Sequence, residues 1–153
     1  MLFFYLSLIL AGVDARAEGL LDEFRGAWKV VAYGQTNSEL FSLNRKESRA
    51  AALTVFLIQG DRMQFVSSVL AVVRGGKLID CTTRQTTKAV EKAGAYYSII
   101  ESPVTAHGDC GSIGAYQPSS RLRIERISDS KLRLFYPNQG DGAAESVFEL
   151  EAL

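Results

Sequence analysis

The chain has 153 residues, which is the size of one domain and leaves little room for a second. Lysine plus arginine equals aspartate plus glutamate, 17 of each, so no excess of positive charge favours binding to nucleic acid or to an anionic membrane surface. Hydrophobic residues make up 47% of the chain, which excludes a disordered protein, and the single histidine, His107, argues against a histidine-rich metal site or a Ser-His-Asp hydrolase. We therefore expect a globular domain that is not an enzyme and holds neither a metal nor a cofactor.

The first seventeen residues differ in character from the rest of the chain. The run at 2–13 carries no charge and is too short to span a bilayer comfortably. Ala15-Arg16-Ala17 follows it with the small-x-small pattern that signal peptidase prefers, which predicts cleavage before Glu18. We expect residues 1–17 to be a signal peptide and residues 18–153 to be the domain of a secreted, extracellular protein. The alternative is a buried N-terminal helix or strand.

Beyond residue 20 the dominant pattern has period two, with turn residues between the segments, which indicates β-strands. A polar loop at 34–49, which can contain a helical turn, and an excursion loop at 102–120 are the two long connections. The other connections are short, and this favours an all-β fold with little helix, an eight-stranded antiparallel up-and-down β-barrel. The eight strands are predicted at residues 27–33, 51–59, 64–74, 78–90, 95–101, 121–127, 131–136 and 146–153.

The two cysteines, Cys81 and Cys110, form an even pair that could be bridged in an oxidising compartment. A disulfide between them would close a loop of roughly thirty residues and contribute on the order of 3 kcal/mol on the chain-entropy model. Their spacing fits no zinc motif, and the chain has no C-x-x-C sequence. Two unpaired thiols are the alternative.

The last three predicted strands alternate between apolar and charged residues. Charged side chains are costly to bury without partners, so we expect the apolar set to face the barrel interior. In the second and third strands both faces are apolar, and the inward face is only inferred. The interior set of the last three strands is Leu122, Ile124, Leu132, Leu134, Tyr136, Phe148 and Leu150.

Several segments resemble the lipocalin family. Gly26-Ala27-Trp28 at the start of the first strand resembles the G-x-W signature of these proteins. Residues 53–57 (LTVFL) resemble the second strand of the mammalian pheromone- and odorant-carrying lipocalins, and residues 87–96 (TKAVEKAGAY) are similar to their K-T-E-K-A-G-x-Y stretch. Cys81 falls where many lipocalins have a fourth-strand cysteine, and Phe148-Glu149-Leu150 after the Gly-Asp-Gly turn resembles their last hairpin.

The resemblance runs in order along residues 24–153, and it extends to the epididymal-type secreted lipocalins, but some family features are missing. Ser128-Asp129-Ser130 stands where the family has T-D-Y between the sixth and seventh strands. The arginine that covers the conserved tryptophan, the C-terminal helix and the cysteine of that region have no counterpart before Leu153. We therefore expect a chain that is short at the C-terminus relative to the family.

The resemblance implies a binding and transport protein that carries a small hydrophobic molecule, such as an odorant, pheromone, fatty acid or retinoid-like compound, in the barrel cavity. It implies structural roles for Gly26 and for Trp28, which would close the barrel floor. Tyr96 and Tyr136 would offer hydroxyls to a ligand carbonyl or alcohol. By position in the family pattern, the ligand-binding residues are Leu53, Val55, Leu57, Val66, Ser68, Leu70, Tyr96, Ser98, Ile100, Leu134, Tyr136, Phe148 and Leu150.

Other functions fit parts of the sequence. A secreted module that binds a protein through its surface would use the 102–120 loop and would have a filled barrel. A cytosolic fatty-acid-binding protein shares the G-x-W start, but the polar loop at 34–49 is a poor match for its helix pair. An isomerase would need Cys81 as a free, inward thiol. The expected partner is a small hydrophobic ligand, with no nucleic acid and no membrane span, on a monomer or weak dimer.

Overall fold

The computed structural model describes residues 19–42, 50–72, 75–110, 119–137 and 144–153. The predicted signal peptide at 1–17 lies outside the described residues, as do parts of both long predicted loops. Within the described ranges, no helix is long and apolar enough to cross a membrane.

The described fold consists of one turn of 3-10 helix, Asp22–Phe24, and ten β-strands. Eight of the strands build the barrel, and two short ones are added to its wall. In chain order the strands are β1 (Gly26–Gln35), β2 (Phe41–Ser42), β3 (Ala50–Gln59), β4 (Arg62–Val72), β5 (Leu78–Ala93), β6 (Tyr96–Glu101), β7 (Thr105–Gly108), β8 (Arg121–Ser128), β9 (Lys131–Tyr136) and β10 (Ser146–Ala152).

The barrel closes because its last strand pairs with its first. The barrel strands β1, β3, β4, β5, β6, β8, β9 and β10 are neighbours in that order and pair antiparallel. β10 then returns to β1, with Trp28 opposite Ala152 and Gln35 opposite Ser146. Closure satisfies backbone groups that an open sheet would leave at its edges. The predicted all-β, eight-stranded antiparallel barrel with little helix is therefore confirmed.

The two short strands were not predicted. β2 pairs with β1, and β7 pairs with the first half of β5, where Cys81 lies opposite Gly108. All four residues of β7 are exposed, so this short segment has no buried apolar face that would mark it as a strand. The prediction of an irregular loop over 102–120 is corrected for this part.

One end of the barrel is filled by side chains and closed by the 3-10 helix. Leu21 and Phe24 are buried against Trp28, whose indole Nε1 donates a hydrogen bond to the Phe24 carbonyl at 2.9 Å. Gly26 has φ +148°, and a Cβ at this position would lie 3.3 Å from that indole nitrogen. This explains why a glycine stands two residues before the tryptophan. The core at this end also includes Val30, Ile58, Met63, Ala89, Tyr97, Ile99, Leu122, Ile124, Leu132, Leu134 and Leu150.

Asp22 connects the 3-10 helix to the β3–β4 turn. Its carboxylate accepts hydrogen bonds from the backbone N–H groups of Gly19 at 2.8 Å and Gly60 at 2.9 Å, and from the Arg25 guanidinium at 2.9 Å. The Leu21 N–H donates to the Gly60 carbonyl at 2.9 Å. The hydrogen bond from Arg25, followed by those from the two backbone groups, lowers the pKa of Asp22 below its ordinary value of 3.8.

We expect Asp22→Asn to lower the free energy of unfolding at neutral pH and to matter less in acid. Because the pKa of Asp22 is lower in the folded than in the unfolded protein, its stabilisation is fully present above pH 3.8 and is lost as the pH falls through the folded-state pKa. Urea unfolding of both proteins over this pH range measures the difference. Asp129→Asn, in the exposed β8–β9 turn, is the control, and a difference that does not shrink in acid would contradict the prediction.

Candidate ligand-binding cavity

A cavity of about 330 Å³ lies inside the barrel, beyond the filled end. Its apolar wall comes from four barrel strands, with Phe56 on β3, Phe65 on β4, Tyr136 on β9 and Phe148 on β10. Small-molecule sites typically have volumes of about 300–1,000 Å³, so this cavity suits a small ligand.

The aromatic rings of the wall contact one another in tilted and edge-to-face arrangements. The ring centroids of Phe56 and Phe65 are 5.2 Å apart, and those of Phe56 and Phe148 are 5.9 Å apart. Tyr136 meets Phe148 edge-on, with a centroid distance of 5.9 Å and an interplanar angle of 87°. Such pairs add stability beyond the area that they bury. The rings therefore support one another as one continuous apolar surface.

Polar groups occupy much of the remaining wall, where Thr87 and Gln85 of β5 face the cavity together with Glu101, Ser119 and Ser146. The Gln85 side-chain Nε2 donates to the Ser102 carbonyl at 3.1 Å. The Glu101 carboxylate accepts a hydrogen bond from the Ser119 N–H at 2.8 Å. A mostly apolar cavity with a few fixed polar groups is the usual form of a small-molecule site.

The chain that leaves β6 is fastened to β5 at the cavity wall. The Ser102 N–H donates to the Thr86 carbonyl at 2.8 Å, and the Ser102 hydroxyl accepts from the Thr86 N–H at 2.9 Å. These bonds place Val104, two residues further on, in the cavity wall.

A disulfide joins Cys81 on β5 to Cys110, with 4.8 Å between their Cα atoms. The predicted bridge is thus present, and it ties the far end of β7 to the same strand. Because neither cysteine is free, Cys81 is not available as a pocket thiol, and the isomerase alternative loses the group on which it depended.

On the last two strands, the predicted lining residues face inward. Tyr136 and Phe148 line the cavity. Leu134 and Leu150 are instead fully buried in the core of the filled end and do not line the cavity. Contact of Tyr136 and Phe148 with a ligand stays a prediction.

On β3, β4 and β6, the predicted lining residues lie on the outer face. Exposed fractions of 49% for Leu53, 41% for Leu57, 45% for Leu70 and 63% for Ile100 rule out a place in the interior. Strand alternation puts the remaining predicted residues of these strands on the same outer face, namely Val55, Val66, Tyr96 and Ser98 along with Ser68. The inward residues are one position away and are Phe56, Ile58, Met63, Phe65, Tyr97 and Ile99.

The inward face of β3 and β4 is the one that buries more apolar surface. Val55 pairs with Val66 on the outer face, and the next cross-strand pair, Phe56 with Phe65, faces inward. Burying the aromatic pair removes more apolar area from water than burying the two valines. The predicted inward face was wrong by one residue along each of these strands. Because side chains alternate between the two faces of a strand, this placed every predicted lining residue of β3, β4 and β6 on the outer face.

Tyr96 takes part in a polar network on the outer wall. Its hydroxyl donates to the Glu145 carboxylate at 2.7 Å, and the Arg121 guanidinium lies 4.3 Å from its ring centroid. The other carboxylate oxygen of Glu145 pairs with Arg123 at 2.6 Å. The predicted role of the Tyr96 hydroxyl toward a ligand is therefore corrected.

A second hollow, of about 560 Å³, lies outside the barrel at its closed end. Its walls include Asp22, which already accepts hydrogen bonds from three residues, and the charged residues Arg25, Asp61 and Lys88. Over the described ranges, no three His, Cys, Asp or Glu side chains are grouped so that they could hold a metal ion. The internal cavity is thus the candidate site.

No protein-family model, curated protein or solved structure matches this chain. The class of site is therefore defined by geometry. A closed eight-stranded antiparallel barrel with an internal cavity, whose apolar wall is mainly aromatic, is consistent with a protein that binds small molecules.

Proposed function

We propose that this protein is a secreted, lipocalin-like carrier that binds a small hydrophobic molecule in its barrel cavity and does not alter it chemically. The observation that carries the proposal is the cavity of about 330 Å³ inside the barrel, lined by four aromatic rings. An apolar ligand there is removed from water, with a gain of about 25 cal/mol for each Å² of apolar surface buried.

Two features support secretion. The disulfide between Cys81 and Cys110 favours an oxidising compartment, since such bonds are rare in the reducing cytosol. The apolar run at 2–13 with the Ala15-Arg16-Ala17 pattern favours the same conclusion.

The closed end of the barrel supports the lipocalin-like part of the proposal. In the lipocalins that the sequence resembles, an arginine covers the conserved tryptophan, and in this chain a guanidinium also lies close to Trp28. Arg126 on β8 lies 5.9 Å from the Trp28 ring and 5.8 Å from the Phe24 ring, and it donates a hydrogen bond to the Glu23 carbonyl. A cation this close to an aromatic face is attracted to it. Arg126 would thus make from β8 the kind of contact that an arginine makes with the conserved tryptophan in the family.

The alternative, a module that acts through surface contacts, requires a filled barrel. Among the described residues, side chains fill the end of the barrel around Trp28 and leave a cavity between Phe56 and Tyr136. This unfilled space supports the proposal of a carrier.

A titration with a neutral apolar fluorescent dye tests the proposal. We expect saturable binding of one dye per protein, and Val104→Trp, which fills part of the cavity, should weaken it by about tenfold or more, the equivalent of about 1.4 kcal/mol. Leu57→Trp places the same side chain on the outer face of β3 and should leave the affinity unchanged. Circular dichroism establishes that each variant is folded. Absence of binding by the folded protein, or equal weakening by both variants, would contradict the proposal.

A further inference from the structure

Thr87 on β5 is the most deeply buried of the polar side chains that line the cavity. Its exposed fraction is 3%, whereas the other polar residues of the wall are only partly buried. Thr87 pairs with Met63 on β4 and is followed on the same face of β5 by Ala89, and both of these neighbours belong to the core of the filled end. Thr87 therefore lies at the inner end of the cavity, where the open space meets the filled end.

The hydroxyl of Thr87 has no hydrogen-bond partner among the described residues. Its neighbours in the wall are engaged, since the Gln85 Nε2 donates to the Ser102 carbonyl. The Glu101 carboxylate, opposite Thr87 on β6, accepts from the Ser119 N–H. In the described part of the chain, every fully enclosed side-chain nitrogen or oxygen has a partner. The Thr87 hydroxyl is therefore not fully enclosed, and the space that it borders is the cavity.

A buried hydroxyl without a partner costs free energy, because it has given up its hydrogen bonds to water. A ligand that supplies the missing partner removes this cost, so the hydroxyl favours ligands with a hydrogen-bonding group at this place. The group can be an alcohol or a carbonyl, since a threonine hydroxyl both donates and accepts. The hydroxyl has no charge with which to offset the burial of an ionic group, so the partner that suits it is a neutral oxygen.

The aromatic part of the wall determines where the rest of the ligand lies. Phe56, Phe65, Tyr136 and Phe148 border the same cavity as Thr87. Phe65 is two residues from Met63 on β4, further from the filled end, and it pairs with Phe56. An apolar body that packs against these rings thus leaves the inner end of the cavity to the oxygen atom.

We propose that the ligand of this cavity is a small neutral molecule with an apolar body and one hydroxyl or carbonyl oxygen, bound with that oxygen inward and hydrogen-bonded to the Thr87 hydroxyl. This inference rests on the proposed carrier function and narrows it. It makes Thr87 a residue that determines ligand specificity, a role that the sequence pattern did not indicate. The volume of about 330 Å³ is at the lower end for ligand sites, which favours a compact ligand.

The substitution Thr87→Val tests the proposal, because valine keeps the branched shape of threonine and lacks the hydroxyl. Ethylbenzene, 2-phenylethanol and acetophenone have the same carbon skeleton and carry no oxygen, a hydroxyl and a carbonyl, respectively. Each is used to displace the neutral apolar dye from the unchanged protein and from the variant. We expect the affinity for the oxygen-containing probes, relative to that for ethylbenzene, to fall by about three- to tenfold in Thr87→Val, as the loss of one neutral hydrogen bond predicts.

Thr86→Val is the matched control, since it makes the same change one residue earlier, on the outer face of β5. The hydrogen bonds of Thr86 with Ser102 use its backbone groups, which the substitution keeps. The relative affinities of the three probes should equal those of the unchanged protein. Urea unfolding without ligand gives a second measurement, in which the midpoint of Thr87→Val should be no lower than that of the unchanged protein, because the hydroxyl has no structural partner to lose.

Relative affinities that Thr87→Val does not change, an equal change in Thr86→Val, or a lower unfolding midpoint for Thr87→Val would overturn the role of Thr87 and leave the carrier function standing. If neither the dye nor any of the three probes binds to the folded protein, the carrier function itself fails. A selective loss for 2-phenylethanol, for acetophenone or for both supports the proposal and shows which kind of oxygen the hydroxyl binds.

Discussion

Replacing Trp28 by alanine is expected to lower the free energy of unfolding by about 3–5 kcal/mol, the usual cost of truncating a large buried aromatic residue. The indole is 4% exposed, packs on Leu21 and Phe24, and donates its Nε1–H to the Phe24 carbonyl. Its removal would leave a void in the filled end and take away the ring over which Arg126 lies. Urea unfolding followed by far-UV circular dichroism measures the loss.

Leu57→Ala is the matched control for this change. Leu57 is 41% exposed on the outer face of β3, so its truncation should cost less than about 1 kcal/mol. Equal losses in the two variants would mean that the filled end around Trp28 does not stabilise the barrel as described. A protein too unstable to purify as Trp28→Ala can be tested as Trp28→Phe, for which a smaller loss in the same direction is expected.

Removing the disulfide is expected to destabilise the protein by about 3–4 kcal/mol, because the unfolded chain regains the freedom of a loop with a sequence separation of 29 residues. The double substitution Cys81→Ala with Cys110→Ala gives this loss without leaving a reactive thiol. Thermal or urea unfolding of the oxidised protein and of the double variant measures it.

A reducing agent supplies the control for the disulfide. It should destabilise the unchanged protein by a similar amount and should have no effect on the double variant, which has no cysteine to reduce. Equal stability of the oxidised protein and the double variant would contradict the prediction.

The order and approximate limits of the barrel strands could be predicted from sequence because turn residues separate the segments. On β8, β9 and β10, charged residues such as Arg123, Arg133 and Glu149 alternate with apolar ones, and this determined the inward face. Each of these charged residues has a partner of opposite charge on the outer wall, Arg133 with Glu149 at 2.5 Å for example. Alternation of this kind is reliable because an unpaired charge inside the barrel would be costly.

The inward faces of β3 and β4 could not be predicted from those strands alone, since both of their faces are apolar. The neighbouring strand β5 contains the missing signal. Arg84 and Lys88 are both exposed and share one face, which places Gln85 and Thr87 on the interior face. Gln85 pairs with Phe65, and Phe65 pairs with Phe56. Because directly paired residues of neighbouring strands lie on the same face of the sheet, Phe65 and Phe56 also face the interior.

The polar part of the cavity was missed for a different reason. Glu101 is at the end of β6 and Ser119 precedes β8, so their contact depends on how the intervening excursion returns to the barrel. No periodic pattern encodes that return. It follows from hydrogen bonds at each end of the excursion, those of Ser102 with Thr86 and that of the Ile99 N–H with the Ser120 carbonyl.

The most direct test of an open, ligand-binding barrel is to map where an apolar probe contacts the protein. Nuclear magnetic resonance spectra of the isotopically labelled protein would be recorded while octanol is added. We expect shifts at Phe56, Phe65, Thr87 and Phe148, which line the cavity, and unchanged signals at Leu53 and Leu70, on the outer face. Shifts confined to the outer face, or a well-dispersed spectrum that octanol does not change, would contradict a cavity that binds ligands.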